Sequence, residues 1–291
     1  MSKPILVAYD GSAESDEAVV WAVSAATSRN IGLKLVSAWT MPPSEVGIAA
    51  GPAYETKLLD SLQRETEAGL EQALAMVRDL APDLDVTTEI ATGPAAAVIL
   101  EKSEDASMVV LGSHGRTGLK GLLLGSVSRA VATHAKCPAV VVRPAEDPEA
   151  NTIVIGVDGS PSSIHALDFA FETASRRGYD ITVLHAWEIP PIGALTGVPS
   201  FSPPDLIENL TEAELRAVSA ELAGYRERYP DVTVNSEIIQ GGPSRALTEA
   251  SEHAAMVVVG SRGRGGFKGL LLGSVGYNVV HKAKCTTAIV H

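Results

Sequence analysis

The chain has 291 residues, room for two domains of ordinary size, and is 45% hydrophobic but only 4% aromatic, so its cores must be built from Ala, Val, Leu and Ile. A net charge of −12 argues against a broad nucleic-acid or anionic-membrane surface, which needs an excess of Lys and Arg, although a local basic pocket remains compatible with it. The sequence has no run of 18 apolar residues, no signal-like N-terminus and only two cysteines, which points away from a membrane span, a secretion signal or a disulfide framework and towards a cytoplasmic protein.

The elements follow in order. Residues 4–9 form a continuous apolar run, the signature of a strand buried on both faces. Asp10-Gly11-Ser12 is a turn that can cap a helix over 13–29, where Ala18, Trp21, Ala22 and Ala25 recur at helical spacing. A second strand covers 33–38. Residues 40–54, rich in Pro, Gly and Ala, read as a long loop, and a helix over 55–80 carries Leu59, Leu62, Leu70, Leu74 and Val77 on its apolar side. Residues 85–90 alternate like a strand nearer an edge, Pro94 opens a helix to 104, and Met108-Val109-Val110-Leu111 is a fourth, buried strand. A glycine-rich stretch runs to Gly125, then a helix to 135, then a fifth strand at 139–142.

The pattern returns at an offset of 148: Ile5 to Ser12 reappears as Ile153 to Ser160, Ala38-Trp39 as Ala186-Trp187, and Cys137 as Cys285. Residues 111–142 and 259–290 share 18 identities in 32 positions, a density that shared composition does not produce. The polar, Pro-containing segment 143–151 is the linker, placing domains at 1–144 and 151–291. Strands alternating with helices of this length predict an α/β fold: two tandem domains, each an open five-stranded parallel sheet with helices on both faces. The second long loop is expected at 188–204.

In such sheets ligands bind beyond the carboxyl ends of the strands. Asp10 and Asp158, Ala38 and Ala186, and the two glycine-rich runs sit there. The first run reads Gly112-Ser113-His114-Gly115, nine residues, then Gly125-Ser126-Val127-Ser128; the second reads Gly260-Ser261-Arg262-Gly263, nine residues, then Gly273-Ser274-Val275-Gly276. Glycines let main chain approach a ligand, and a helix opening at Gly125-Ser126 points free N–H groups at a phosphate. The hydroxyls of Ser126 and Ser128 add donors. Asp10 suits a ribose or, through water, a magnesium ion, and Asp158 stands in the same position. Neither a Walker A loop nor an early dinucleotide fingerprint is present. His114 and Arg262 face phosphate or form solvated loop tips; Arg116 and Arg264 are repeated, as are Lys120 and Lys268. The two cysteines read as buried apolar side chains, and Trp39 and Trp187 as core residues more than as partners of a base.

With these motifs in place, the chain resembles the universal stress protein family, of the tandem two-domain type known from actinobacterial members. The resemblance implies a Rossmann-like, adenine nucleotide α-hydrolase-like fold in each half and ATP, possibly with magnesium, as ligand. It implies that Asp10 and Asp158 lie near ribose and phosphates, and that Ala38 and Ala186 meet adenine through main-chain groups. It implies that Gly112, Gly115, Gly118, Gly125 and Ser126, with Gly260, Gly263, Gly266, Gly273 and Ser274, wrap phosphates and ribose, flanked by Ser113, Val127, Ser261 and Val275. Gly93 and Gly242, each just before a Pro, fall where the family has a further ligand-side glycine, at the cost of a local alignment shift. Two departures stand out: Ala8 replaces Gly156, tightening the first site, and Gly276 replaces the hydroxyl of Ser128. The implied role is a nucleotide-dependent regulator in stress or dormancy, acting on an unidentified partner. The implied assembly is a homo-oligomer in which 139–142 and 287–290 pair within one chain as a pseudo-dimer. The alternative is a slow ATPase or autophosphorylating enzyme; Arg116 and Arg264 are the only candidates seen for an arginine finger, and no base is evident. AMP, ADP and cyclic AMP remain open as ligands.

Overall fold

The computed structural model describes residues 2–40, 52–116, 124–187, 204–264 and 271–291. Most of the two predicted long loops, together with Gly118, Lys120, Gly266 and Lys268, lies outside the described residues. The chain divides into two compact units, Met1–Pro144 with Thr286–Ile289 and His291, and Ala145–Cys285 with Val290.

The first unit runs β1 (Ile5–Ala8), α1 (Ala13–Arg29), β2 (Leu33–Trp39), α2 (Pro52–Leu80), β3 (Val86–Thr92), α3 (Ala95–Lys102), β4 (Met108–Gly112), α4 (Ser126–His134) and β5 (Ala139–Val142). Its strands lie in the order β3-β2-β1-β4-β5 and pair in parallel. The chain therefore steps outward from β1 to β3, jumps back across β1, and steps the other way through β4 and β5. Right-handed crossovers taken in opposite directions put their helices on opposite faces. Accordingly α1 packs with α2, and α3 with α4. The reversal falls between β1 and β4, which pair Ile5 with Met108 and Val7 with Val110. That junction opens a crevice at their carboxyl ends.

The second unit repeats the plan with β6 (Thr152–Gly156), α5 (Pro161–Arg177), β7 (Asp180–Trp187), α6 (Pro204–Arg228), β8 (Val234–Gln240), α7 (Pro243–Ala250), β9 (Met256–Gly260) and α8 (Ser274–Lys282), and the chain ends in β10 (Thr286–Val290), most of which falls in the first unit. Its strand order is β8-β7-β6-β9, and its reversal falls between β6 and β9.

Local chemistry explains the boundaries. Ser12 caps α1, its hydroxyl accepting from the Ser15 N–H at 3.2 Å, and Ser160 caps α5 through Ser163 N–H at 3.3 Å. Each such cap is worth about 1 kcal/mol. Asn30 ends α1 in the left-handed region at φ 52°, and Gly178 ends α5 at φ 68°. The central strands are dry: Ile5, Val7, Val109, Val110, Ile153, Ile155, Val257 and Val258 are fully buried. β3 is half-exposed, as its alternation predicts for an edge. On α2, Leu70, Ala73 and Val77 are buried while Leu59, Leu62 and Leu74 are half-buried. Both cysteines are free and buried, and burial pushes the Cys137 thiol up to about 12. Trp39 and Trp187 are half-exposed at their strand ends, so they are not the core residues their composition predicts.

Candidate functional site

Each crevice holds a cavity. The first, about 250 Å³, is lined by Ala8, Asp10, Ala38, Gly112, His114, Gly115, Gly125, Ser126, Val127 and Ser128 among the predicted residues. The second, about 450 Å³, is lined by Gly156, Asp158, Ala186, Gly260, Ser261, Arg262, Gly263, Gly273, Ser274 and Val275. Small-molecule sites span about 300–1,000 Å³, so the second lies inside that range and the first just below it. Ser113, Arg116, Gly93, Arg264 and Gly242 line neither cavity.

The aspartates organise the mouth. Asp10 Oδ1 accepts from Ser12 N–H at 3.1 Å and from the Ser12 hydroxyl at 2.6 Å, while Oδ2 accepts from Arg116 N–H at 2.9 Å. Asp158 repeats this with Ser160 N–H at 3.0 Å and Arg264 N–H at 2.8 Å. One carboxylate thus ties the strand–helix turn to the glycine-rich loop. The tie explains two glycines, because a Cβ at Gly115 would collide with Asp10 Oδ2 and one at Gly263 with Asp158 Oδ2. Gly112 and Gly260 have another cause: a Cβ there would meet the main chain of Glu14 at 2.7 Å or of Ser162 at 2.8 Å. They let the first turn of α1 or α5 lie directly on the end of the fourth strand.

The loop closes where the Gly125 N–H donates to the Ser113 carbonyl at 2.8 Å, and Gly273 N–H to that of Ser261 at 2.7 Å. Gly125 and Gly273 are N-caps without a side chain that accepts from the following amides. The first turns of α4 and α8, with Ser126 and Val127 or Ser274 and Val275 on the cavity wall, therefore offer main-chain N–H donors and the positive end of the helix dipole to an anion. The capped helices α1 and α5, by contrast, satisfy one such donor internally.

Ser128 corrects one expectation. Its hydroxyl is buried and donates to the Gly112 carbonyl at 2.7 Å, so it is no free phosphate donor. At Gly276 the corresponding space is filled, since a Cβ there would lie 2.8 Å from Leu272 Cδ1. A second correction concerns Gly93. Its counterpart is Gly241, not Gly242: both have positive φ, 141° and 144°, and their N–H groups donate to the carbonyls of Trp39 at 2.9 Å and Trp187 at 3.0 Å. The repeated Gly-Pro dipeptide misleads, because Pro94 and Gly242 are the equivalent caps of α3 and α7.

The exchange of Ala8 for Gly156 is matched across the cavity. A Cβ at Gly156 would meet Leu247 Cδ1 at 2.9 Å, and the residue 148 positions before Leu247 is Ile99. Both lining side chains are buried, Ile99 beside Ala8 and Leu247 beside Gly156. The remaining apolar walls, Val36 and Leu111 or Leu184 and Val259, suit a flat base; sequence reasoning passed over them although each lies on a strand ending at the crevice.

The arginines differ. Arg116 forms an ion pair with Glu65 of α2. Arg264 folds over Gly159, whose φ of 70° requires glycine and whose hypothetical Cβ would collide with the guanidinium. Among the described residues, no group of three His, Cys, Asp or Glu side chains forms a metal site. Both oxygens of Asp10 and of Asp158 already accept hydrogen bonds from the protein.

Fold and site thus define a duplicated, doubly wound α/β protein with one crevice per domain at the strand-order reversal. The chain belongs to the universal stress protein family, whose model it matches over residues 1–143 and 149–291. It is 38% identical over 297 residues to a universal stress protein of Mycolicibacterium smegmatis, covering 98% of this chain and 96% of that one. It is 37% identical over 300 residues to one of Mycobacterium tuberculosis, covering 98% and 97%. A universal stress protein from Archaeoglobus fulgidus, 17% identical, shares the fold over 100% of this chain and 98% of its own at a TM-score of 0.62. No helix among the described residues is long and apolar enough to cross a membrane.

Proposed function

We propose that the protein is a nucleotide-dependent regulator that binds ATP at one site per domain and acts in a stress or dormancy response. The observation that carries this reading is the pairing, in each crevice, of a helix N-terminus without a side-chain cap and a glycine-rich loop held open by an aspartate. Phosphates would lie against the first-turn N–H groups of α4 and α8, the ribose near Asp10 or Asp158, and the base against Ala38 or Ala186. Magnesium, when carried in with the triphosphate, would reach Asp10 or Asp158 through water.

Mass analysis of the nucleotide released by denaturing freshly purified full-length protein is the direct test, followed by titration of the stripped protein with ATP. Two adenine nucleotides per chain is the expected result; release of AMP, ADP or cyclic AMP would reassign the ligand. No adenine nucleotide released, with no binding at millimolar ATP, would overturn the proposal. Turnover of labelled ATP above roughly 1 per second, the lower kinase range, would replace a binding role with a catalytic one. Antiparallel pairing of 139–142 with 287–290, higher homo-oligomers and a cytoplasmic location belong to the same proposal. Light scattering with and without nucleotide tests the assembly.

A further inference from the structure

We infer that the two sites weigh ligand charge differently: the second domain prefers a nucleoside triphosphate over its nucleoside, and the first binds the triphosphate with no such preference. This rests on the nucleotide reading above and deepens it site by site.

The charged groups around the two mouths are not equivalent. At the first, Asp10 is joined by Glu14, whose side chain starts against Gly112, and by Glu65, which holds the guanidinium of Arg116. His114, the counterpart of Arg262, places its Nδ1 3.0 Å from the Ser113 hydroxyl. At the second, Asp158 is the acid, Glu14 is replaced by Ser162, and α5 has no acidic residue in its first turn. Ser162 donates its hydroxyl to the Arg262 carbonyl, pinning the main chain beneath a guanidinium-bearing residue that lines the cavity. Neither Arg262 nor Arg264 has an ion pair among the described residues. On the cavity walls the first site thus carries Asp10 and His114 and the second Asp158 and Arg262, while Glu14, the Glu65–Arg116 pair, Arg264 and, through His185, Glu214 stand outside the walls. Arg129, one turn into α4, is exposed and does not line the first cavity. The segments outside the described residues do not offset this difference in sequence, since 117–123 and 265–270 each contain one Lys, and 41–51 and 188–203 each contain one Glu.

A triphosphate concentrates its charge where these groups converge. At the second mouth the guanidinium of Arg262, on the cavity wall, is able to form charge-assisted hydrogen bonds with it, and Arg264, folded over Gly159, adds a second positive charge nearby. At the first mouth a triphosphate must displace Glu65 from Arg116 and approach two further carboxylates. A nucleoside or monophosphate avoids most of that repulsion, and the smaller cavity of about 250 Å³ against 450 Å³ favours the same ligand.

The test uses the full-length protein stripped of nucleotide and photolabelled with 8-azido-ATP or 8-azidoadenosine, at about 20 and 300 mM salt. Tryptic peptides assign label to residues 1–143 or 149–291. The second domain is expected to favour the triphosphate by roughly tenfold at low salt, from the charge-assisted contact of Arg262 and the nearby charge of Arg264, and to lose most of that margin at high salt. The first domain is expected to show no preference for the triphosphate. Arg262→Gln with Arg264→Gln should bring the second domain's margin down to that of the first. Glu65→Gln should raise triphosphate labelling of the first about two- to fivefold, the span of an exposed ion pair. Equal triphosphate preference in both domains, or a larger one in the first, would overturn the inference while leaving nucleotide binding intact. Absence of competable label in both domains would instead reject the nucleotide reading, and this inference with it.

Discussion

Asp10 Oδ2 accepts the main-chain N–H of Arg116 at 2.9 Å, linking the end of β1 to a loop 106 residues further along the chain. Asp158 and Arg264 repeat the link at the same separation and 2.8 Å. The glycine-rich loop is thus positioned by the aspartate as well as by its own turns. Asp10→Ala removes the acceptor for the Ser12 N–H, the Ser12 hydroxyl and the Arg116 N–H together, an expected cost of about 1–3 kcal/mol to the first domain. Faster hydrogen exchange at the Arg116 amide and a fall from two bound nucleotides to one are the expected readouts. Retention of both nucleotides at unchanged affinity would remove Asp10 from the site.

The exchange of Ala8 and Ile99 for Gly156 and Leu247 predicts coupling. Gly156→Ala should destabilise the second domain by about 1 kcal/mol, because the new methyl meets Leu247 Cδ1 at 2.9 Å and Val259 Cγ1 at 3.3 Å. Adding Leu247→Ile, the pairing already present in the first domain, should recover part of that loss in a double-mutant cycle from chemical denaturation. Strict additivity would show that the two residues do not compensate each other.

Ser128→Ala separates structure from binding. It leaves the buried Gly112 carbonyl without its 2.7 Å hydroxyl donor, an expected loss of about 1 kcal/mol, while nucleotide affinity at the first site stays within about twofold. A large drop in affinity with stability unchanged would instead return the hydroxyl to the ligand.

Burial pushes the Cys137 thiol up to about 12, with Lys3 and the Val109 backbone opposing the shift. The folded value is raised, so this group's stabilising contribution is complete below the unfolded thiol range, near 8.5, and is lost as pH rises towards 12. Native protein at pH 8 should therefore react slowly with a thiol reagent, and denaturant should release the reaction. Rapid modification of Cys137 in the native state at pH 8 would contradict the burial. In denaturation followed between pH 8 and 11, Cys137→Ala should flatten the alkaline decline.

Much of the fold was legible because its signals are local. The helix over 13–29 coincides with α1, since Ser12 supplies a cap and the apolar spacing repeats every turn. The strand at 33–38 lacks only Trp39 of β2, which buries Leu33 and the consecutive run Leu35, Val36 and Ser37. The site was legible where glycine and aspartate share one cause, as at Gly115 and Asp10. It was misread where one residue type serves two ends. Ser128 is explained by a carbonyl 16 residues away, and Gly241 was hidden behind a coincidental Gly-Pro match at Gly242, while Gly112 lines the cavity as expected and also makes room for the main chain of Glu14.

The duplication, the alternation of strands and helices and the placement of both glycine-rich runs after buried strands followed from the sequence alone, because repetition and periodicity are properties of neighbouring positions. The partner of each polar group required the tertiary structure. The meeting of Arg116 with Glu65, of Asp10 with the Arg116 amide, and of Gly156 with Leu247 depends on which strands lie side by side after the chain reverses direction. Sheet order brings residues 51 to 106 positions apart into contact, and no local pattern encodes that distance.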